Sequence, residues 1–238
     1  MSNAATLKIK IFADGADLKG MLEMYRRPDI QGFTTNPTLM RKAGISDYRA
    51  FAREVLAAIP DRPISFEVFS DDFGEMEKQA REISSWAANV NVKIPVTNTK
   101  GEPSYALVKR LSGEGIKVNV TALFTLEQVR DVVAGLAPET PAYVSVFAGR
   151  IADTGRDPMP HMAAAKALLG TKPKAELIWA SPRELLNIFH ADAVGCDIIT
   201  VTNDLLAKLK NVGKDLATFS LETVKMFRDD AVKAGFQL

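Results

Sequence analysis

A lysine inside an apolar segment is the residue of this chain best suited to covalent chemistry. Lys93 lies within Val90–Pro95, whose sequence VNVKIP predicts a buried β-strand. Burial disfavours the charged ammonium and leaves a neutral amine, which attacks carbonyl groups and forms a Schiff base. The alternative for a lysine near a strand end is that its ammonium extends to solvent along an apolar stem. The choice between the two depends on which polar residues lie near Lys93.

Polar residues also stand at the ends of the other predicted strands. Asp14 and Glu67 are two carboxylates suited to general acid–base catalysis, and two such groups can divide the proton transfers if their environments differ. Thr121 and Asn119 are suited to hold a water and a substrate hydroxyl. Each residue also has a structural alternative, such as capping for Asp14 or a turn before proline for Asn36. Their common position at strand ends favours one site, which has these members: Asp14, Asn36, Glu67, Lys93, Asn119, Thr121, Ser145, Phe147, Arg150, Ser181 and Arg183.

An anion pocket is predicted at the end of the sixth and seventh strands. Arg150 and Arg183 offer planar forks of donors for a phosphate. Ser181, followed by Pro182 and by Glu184 two residues later, predicts the N-cap of a helix whose free backbone N–H groups add to the pocket. The alternative for the arginines is surface ion pairing.

The elements that would position these residues alternate along the whole chain. Amphipathic stretches separate eight short apolar runs, and several runs are nearly continuous Val, Ile, Leu and Phe, as expected of strands buried on both faces. The runs are Ile9–Ala13, Gly32–Thr35, Ile64–Val68, Val90–Ile94, Val118–Thr121, Tyr143–Val146, Leu177–Ala180 and Ile198–Val201. Eight strands alternating with eight helices predict a single α/β domain over residues 1–238, a (β/α)8 TIM barrel whose site lies at the C-terminal ends of the strands. The alternative, an open doubly wound sheet, is disfavoured because no Gly-rich phosphate fingerprint follows the first strand.

Two segments outside the strands carry further predictions. Thr125, before Leu126, predicts the start of one barrel helix. Residues 214–238 predict a C-terminal helical extension beyond the barrel, which packs either on its own barrel or on a neighbouring subunit.

Composition narrows the function classes. The 238 residues include 30 Lys and Arg and 29 Asp and Glu, so the net charge is close to zero and does not favour the binding of nucleic acid. No apolar run reaches the roughly 20 residues that span a bilayer. Only two histidines and one cysteine, Cys196, are available, which leaves little for a metal site, and the single cysteine fits a reducing, cytoplasmic location. Cys196 itself is expected to be a small buried side chain.

The ordered motifs resemble the transaldolase family, in its short branch that also holds fructose-6-phosphate aldolase. The resemblance extends from Phe12 to about Lys233. It rests on the segments FAD at 12–14, TTNPT at 34–38, FEV at 66–68, VKIP at 92–95, NVT at 119–121, SVFAGR at 145–150 and ASPR at 180–183. Any one of these segments is unspecific, whereas the ordered set is specific.

The resemblance implies a role for each residue. A dihydroxyacetone unit would pass from sedoheptulose 7-phosphate or fructose 6-phosphate to an aldose phosphate through a Schiff base on Lys93. Asp14 would take the proton of the C4 hydroxyl, and Glu67 would serve imine formation through a water held by Thr121. Residues from several strands would bind the donor's hydroxyls (Asn36, Asn119 and Ser145) and its phosphate (Arg150, Ser181 and Arg183). No metal or organic cofactor is implied, and the reaction would belong to carbohydrate metabolism, in the pentose phosphate pathway.

Two positions favour transfer over net cleavage. The aldolases of the family typically carry Gln in place of Glu67 and Tyr in place of Phe147, and this chain follows the transferase pattern at both. The chain departs from the family pattern at Gly15, which follows Asp14, and at Pro182, which stands between Ser181 and Arg183. These departures leave two features of the substrate less defined than the type of reaction: the identity of the sugar, and whether its anionic group is a phosphate or another anion such as a sulfonate.

The alternatives are a Schiff-base aldolase that releases free dihydroxyacetone, a sugar-phosphate-binding barrel without turnover, and a metal-dependent epimerase. For the assembly, the resemblance favours a homo-oligomer, a decamer of two pentamers that exchange the last helix, with a dimer as the alternative. Neither a nucleic-acid partner nor a membrane is expected.

Overall fold

The computed structural model describes residues 7–237, which contain a closed barrel of eight parallel strands in chain order, β1 to β8. The predicted TIM barrel is therefore confirmed. The strands are β1 Lys10–Asp14, β2 Ile30–Thr34, β3 Ile64–Glu67, β4 Val90–Pro95, β5 Val118–Leu123, β6 Ala142–Val146, β7 Ala175–Trp179 and β8 Ile198–Thr202. All eight apolar runs coincide with these strands, with differences of at most two residues at either end.

The described chain forms eleven α-helices, two more than the eight barrel helices and one C-terminal helix expected. They are α1 Leu18–Tyr25, α2 Pro37–Lys42, α3 Tyr48–Ala58, α4 Phe73–Ser84, α5 Tyr105–Gly113, α6 Leu126–Gly135, α7 Ala148–Ala152, α8 Pro158–Leu169, α9 Leu186–Ala193, α10 Asn203–Leu206 and α11 Leu216–Lys233, with a 3-10 helix at Ala207–Asn211. The connections after β2 and β6 each hold two helices, because Gly44 and Gly155 adopt positive φ angles of 72° and 77° and end the first of each pair.

Two predicted helix starts have opposite outcomes. Thr125 begins α6 with a complete capping box, in which its hydroxyl and the Gln128 side chain each accept from the other residue's backbone N–H. The predicted helix start at Ser181 is wrong. Ser181 has a φ of 63°, outside the extended conformation of an N-cap, and helix α9 begins only at Leu186.

Inward-facing side chains fill the barrel in layers, as in other (β/α)8 barrels. The pairing register, followed around the barrel, places four residues from the even-numbered strands in one layer: Thr34, Lys93, Ser145 and Thr200. The layer above it, at the C-terminal mouth, comes from the odd-numbered strands: Asp14, Glu67, Thr121 and Ala180. The layer below it, also from odd-numbered strands, holds Phe12, Ser65, Asn119 and Ile178. The apolar core lies mostly between the barrel and its helices.

Helix α11 differs from the barrel helices because none of its residues is buried within the described chain. Its exposed apolar side chains are Leu216, Phe219, Leu221, Val224, Met226, Phe227 and Val232. The predicted C-terminal helix is thus present. The assignment of 214–238 to one domain with the barrel stays a prediction.

Candidate active site

One cleft at the C-terminal mouth of the barrel, about 480 Å³ in volume, collects ten of the eleven predicted site residues. Those lining it are Asp14, Asn36, Glu67, Lys93, Thr121, Ser145, Phe147, Arg150, Ser181 and Arg183. The exception, Asn119, is fully buried one layer lower. It accepts a hydrogen bond from the Ser145 hydroxyl at 2.7 Å and donates to Ser65 Oγ at 3.0 Å. Asn119 thus contacts the cleft through Ser145.

Lys93 lies near the floor of the cleft and is held by acceptors from two neighbouring strands. The side chain is 8% exposed, and Nζ lies 3.2 Å from Glu67 Oε2 on β3. Nζ also donates to the backbone carbonyl of Thr35, at the end of β2, at 3.0 Å. Strand pairing accounts for the first contact, because Lys93 and Glu67 are direct partners in the register of β3 and β4. The ammonium does not extend to solvent, and an adjacent carboxylate is placed to accept its proton.

Asp14 is the second carboxylate of the cleft, and its environment differs from that of Glu67. The side chain accepts a hydrogen bond from Thr34 Oγ1 at 2.7 Å. Burial raises the pKa of the Asp14 carboxyl above its usual range, while the charge of Lys93 and the Thr34 hydrogen bond partly oppose that rise. A carboxylate whose pKa is raised in this way is a better base for a hydroxyl proton once it is ionised.

Thr121, in the same layer as Asp14 and Glu67, supplies a hydroxyl that is available to a ligand. It is 2% exposed, and its Oγ1 is one of few buried side-chain polar atoms in residues 7–237 that make no hydrogen bond to the protein. A buried hydroxyl of this kind requires a water or a substrate group as its partner. The next residue, Ala122, has a φ of 60° and lines the cleft as well.

Asn36 caps a helix and also lines the cleft. Its Oδ1 accepts from the backbone N–H of Leu39 at 2.9 Å, which caps α2. The capping alternative for this residue is therefore real. It leaves the Nδ2 amide group free of that role on a side chain that also lines the cleft.

The anion pocket is arranged differently from the sequence expectation. Arg183 forms a two-pronged ion pair with Asp153, through Nε at 2.9 Å and Nη2 at 2.5 Å. The backbone N–H groups of Arg183 and Glu184 donate to Asn187 Oδ1, so they are not the free helix donors that the predicted Ser181 N-cap implied. The pocket's donors are the Nη1 edge of Arg183, the Ser181 hydroxyl and Arg150, whose guanidinium lies 5.8 Å from the centre of the Phe147 ring.

A close backbone contact fixes the position of Ser181. A Cβ atom built on Gly149 would lie 1.5 Å from the Ser181 carbonyl oxygen, and the Gly149 N–H donates to Ala180 O at 3.3 Å. Only glycine allows this approach between α7 and the loop after β7.

The predicted site omits four further polar residues of the cleft: Thr34, Thr38, Lys42 and Thr200. Thr34 and Thr200 could have been found from the period-two alternation, because Thr34 lies two residues after the inward Gly32 and Thr200 two after the inward Ile198. Lys42 stands in the last turn of α2, and no strand pattern marks it.

Outside the cleft, three expectations from the sequence concern the cysteine, metal binding and membrane spans. Cys196 is buried, as predicted, and burial raises the pKa of its thiol to about 12. Residues 7–237 contain no cluster of three His, Cys, Asp or Glu side chains arranged to hold a metal ion. Within the same residues, no helix is both long and apolar enough to cross a bilayer.

Comparison with known proteins identifies the family of this chain. The family model described as Transaldolase/Fructose-6-phosphate aldolase matches residues 11–238. A protein of Dehalococcoides mccartyi named "Probable transaldolase" is 35% identical over 202 residues, 84% of this chain and 90% of that protein. A protein of the same name from Methanococcus maripaludis is 37% identical over 205 residues, 85% of this chain and 90% of that protein.

Solved structures support the fold alone. A mandelate oxidase structure with benzoyl-formic acid superposes with a TM-score of 0.56 at 10% sequence identity, over 85% of this chain and 70% of that one. The family assignment rests on the family model and the curated relatives. The chain therefore belongs to the transaldolase/fructose-6-phosphate aldolase family, as its ordered motifs predicted, and it is an enzyme of that family.

Proposed function

We propose that this enzyme is a transaldolase, which transfers a dihydroxyacetone unit from sedoheptulose 7-phosphate or fructose 6-phosphate to an aldose phosphate through a Schiff base on Lys93. The observation that carries the proposal is the placement of Lys93 Nζ, which is buried 3.2 Å from Glu67 Oε2 in a cleft that also contains Asp14. A nucleophilic amine with two carboxylates of unequal environment has the groups that imine formation and C–C cleavage both require.

The first half-reaction makes the imine. Glu67 accepts the ammonium proton, and neutral Lys93 Nζ attacks the C2 carbonyl of the ketose. Loss of water from the carbinolamine requires a proton donor, and protonated Glu67 supplies it through a water that the Thr121 hydroxyl binds. The open hydroxyl of Thr121 supports this assignment.

Carbon–carbon cleavage follows from the imine. Asp14 takes the proton of the C4 hydroxyl, the C3–C4 bond breaks, and its electron pair moves to the imine nitrogen as an enamine forms. The aldose phosphate leaves, an acceptor aldehyde enters, and the same steps run in reverse, with Asp14 returning its proton to the new hydroxyl. The side chains of Asn36 and Ser145 hold the hydroxyls of the three-carbon unit, and Asn119 orients Ser145 from below.

The phosphate subsite uses Arg150, Ser181 and the Nη1 edge of Arg183. Phe147 lines the same cleft as Lys93 and Arg150, and it has no hydroxyl to deliver a proton to the enamine. An enamine that is not protonated persists until the acceptor arrives, which favours transfer over release of free dihydroxyacetone. The second candidate, a fructose-6-phosphate aldolase, is supported by the family description, which includes both activities.

The deciding experiment measures glyceraldehyde 3-phosphate formed from fructose 6-phosphate, with and without erythrose 4-phosphate. We expect sustained turnover only with the acceptor. Sustained turnover without it identifies the aldolase and contradicts our interpretation of Glu67 and Phe147.

A borohydride experiment tests the Schiff base separately. Reduction in the presence of fructose 6-phosphate should attach the three-carbon unit covalently to Lys93, as seen in the mass of the peptide. Lys93→Met should abolish both trapping and turnover, the latter by about 10⁴-fold or more. Lys42→Met removes the other lysine of the cleft and is the matched control, with trapping retained. Trapping that persists in Lys93→Met contradicts the assignment.

The proposal extends to assembly and location. Helix α11 exposes Phe219, Val224 and Phe227, and an apolar surface of this kind on a stable protein is typical of an interface. We propose that α11 packs on a neighbouring copy in a homo-oligomer, with the decamer favoured over the dimer, and that the enzyme is cytoplasmic. Sedimentation of the chain cut after Asn211 tests the first part, because unchanged assembly would remove α11 from the interface.

A further inference from the structure

A chain of two hydroxyls lies beneath Asp14 and has no part in the proposed reaction so far. Thr34 Oγ1 donates to Asp14 Oδ1 at 2.7 Å, and Thr200 Oγ1 lies 2.5 Å from Thr34 Oγ1. The two threonines are 3% and 6% exposed. They belong to β2 and β8, the two strands that pair with β1 on either side, so their side chains meet beneath Asp14, which ends β1.

The direction of this chain follows from counting protons. A hydroxyl has one proton to donate, and an ionised carboxylate can only accept. While Asp14 is ionised, the Thr34 proton is committed to Asp14. The contact between the two threonines can then form only with Thr200 as the donor and Thr34 as the acceptor. Hydrogen bonds in series polarise one another, so this second bond strengthens the first.

We propose that Thr200 is a positioning residue for the proton transfer at Asp14, because its hydroxyl fixes the Thr34 proton on the carboxylate. The inference rests on the proposed function of Asp14 as the base in C3–C4 cleavage. After Asp14 takes the substrate proton it can itself donate, and the Thr34 hydroxyl can turn to donate to Thr200. The two hydroxyls therefore adapt to both states of Asp14 by rotation, with no net transfer of a proton along the chain.

The hydrogen-bond partner of Thr200, rather than its depth, assigns it this role. Thr200 lines the cleft in the same layer as Lys93 and Ser145, one layer beneath Asp14. Its hydroxyl has Thr34 as its hydrogen-bond partner, and Thr34 in turn has Asp14. The charged groups that share the cleft with Asp14 come from five other parts of the fold, and none lies within the hydroxyl chain: Lys93, Glu67, Lys42, Arg150 and Arg183.

The test compares Thr200→Val, which keeps the shape and removes the hydroxyl, with Thr200→Ser, which keeps the hydroxyl. We expect Thr200→Val to lower kcat about fivefold, as expected for one buried hydrogen bond, with little change in KM. Borohydride trapping at Lys93 should stay within about twofold, because imine formation uses Glu67. The acidic limb of the pH–rate profile should move to higher pH, because ionised Asp14 loses support. Thr200→Ser should restore kcat and the profile.

A double-mutant cycle supplies the sharpest result. Thr34→Val removes the direct bond to a charged group and should lower kcat about thirtyfold. If Thr200 acts only through Thr34, the double variant should be no slower than Thr34→Val alone. Thr202→Val, on the same strand and outside the cleft lining, is the matched control and should leave kcat unchanged.

Three outcomes overturn the inference while the proposed function stands. The first is a Thr200→Val enzyme with parental kcat and pH profile. The second is an additive double variant, which would mean direct contact between Thr200 and substrate. The third is an equal loss of trapping and turnover, which would indicate a general disturbance of the site. Failure of the parent enzyme in transfer and in trapping would instead refute the proposed function.

Discussion

The two halves of the barrel mouth are built on different physical principles. The reaction half, defined as Asp14, Thr34, Glu67, Lys93 and Thr121, consists of side chains on β1 to β5 that are buried or partly buried. The anion half, defined as Arg150, Ser181 and Arg183, lies in α7 and in the loop after β7, and both of its arginines are exposed. Strand pairing positions the first set, and loop geometry positions the second.

The charged groups of the two halves also differ in their exposure to solvent and in the direction of their pKa shifts. In the reaction half, burial raises the pKa of Asp14 above its usual range. In the anion half, the guanidinium of Arg183 holds the pKa of Asp153 below its usual range, on a side chain that is half exposed. Low solvent access therefore dominates at the first site, whereas at the second a screened ion pair contributes little to stability.

The difference indicates where this enzyme can vary. In the reaction half, Thr34 donates to Asp14 and Lys93 contacts Glu67, so a change in one member leaves its partner without that contact. Loop residues at the mouth can change with less cost, and they set specificity in barrels of this fold. Of the two departures from the family pattern, Gly15 follows Asp14, whereas Pro182 stands between Ser181 and Arg183 of the anion half. Because Pro182 separates two residues of the anion half, we expect the substrate's anionic end to be a variable feature.

The largest expected effect is on the reaction half, in Asp14→Asn. Turnover should fall about 10³-fold, because the base is lost. Stability should rise at neutral pH. A folded-state pKa above the unfolded value means that the ionised carboxylate opposes folding. This cost grows as pH rises from the unfolded pKa to the folded pKa and stays constant at higher pH. The melting temperature of Asp14→Asn should therefore exceed the parental value at pH 7, and the difference should vanish below the unfolded pKa of about 3.9.

Asp17→Asn is the control for this prediction. Asp17 caps α1 on the same loop, and asparagine caps a helix as well as aspartate does. It should leave both turnover and melting temperature unchanged. A melting temperature of Asp14→Asn that is lower at pH 7 would mean that attraction to Lys93 outweighs the desolvation of Asp14.

The second prediction concerns the anion half. Gly149→Ala places a methyl group 1.5 Å from the Ser181 carbonyl oxygen, so the backbone must move. We expect KM for fructose 6-phosphate to rise by about tenfold or more, and stability to fall by about 1–3 kcal/mol, as in overpacked cores. Gly113→Ala, where an added methyl group meets nothing within 4 Å, is the control. If Gly149→Ala has the parental KM, the close contact does not set the geometry of the pocket.

The two halves also differ in how much of their structure the sequence predicts. The strand runs and their end residues predicted four of the five members of the reaction half, all but Thr34, because period two and register are local properties that a sequence displays. The sequence does not predict that Asn119 lies one layer below the cleft, because its depth in the barrel depends on the stagger of β5 against its neighbours. The ion pair between Arg183 and Asp153 joins residues 30 apart, and the positive φ of Ser181 follows from contact with Gly149. No local pattern indicates either feature.

A smaller effect is expected at Phe147, which belongs to neither half and lines the same cleft. Its ring packs against Phe124 at 5.8 Å and beside Arg150. Phe147→Tyr adds a hydroxyl that can deliver a proton to the enamine. Net release of dihydroxyacetone from fructose 6-phosphate should rise on the order of tenfold, below the contribution of a fully placed general acid. Phe124→Tyr adds the same group outside the cleft lining and is the control. No gain in release for Phe147→Tyr would refute the role of this position in favouring transfer.

The smallest expected effect comes from the ion pair of the anion half. Asp153→Asn keeps an acceptor oxygen for Arg183 and removes a negative charge beside the phosphate. We expect KM for fructose 6-phosphate to fall about two- to fivefold, the scale of an exposed ion pair, while kcat stays the same. The gain should shrink at high ionic strength, where exposed charges are screened. If KM rises instead, Asp153 serves mainly to hold Arg183 in position, and the anion half would depend on side-chain contacts as the reaction half does.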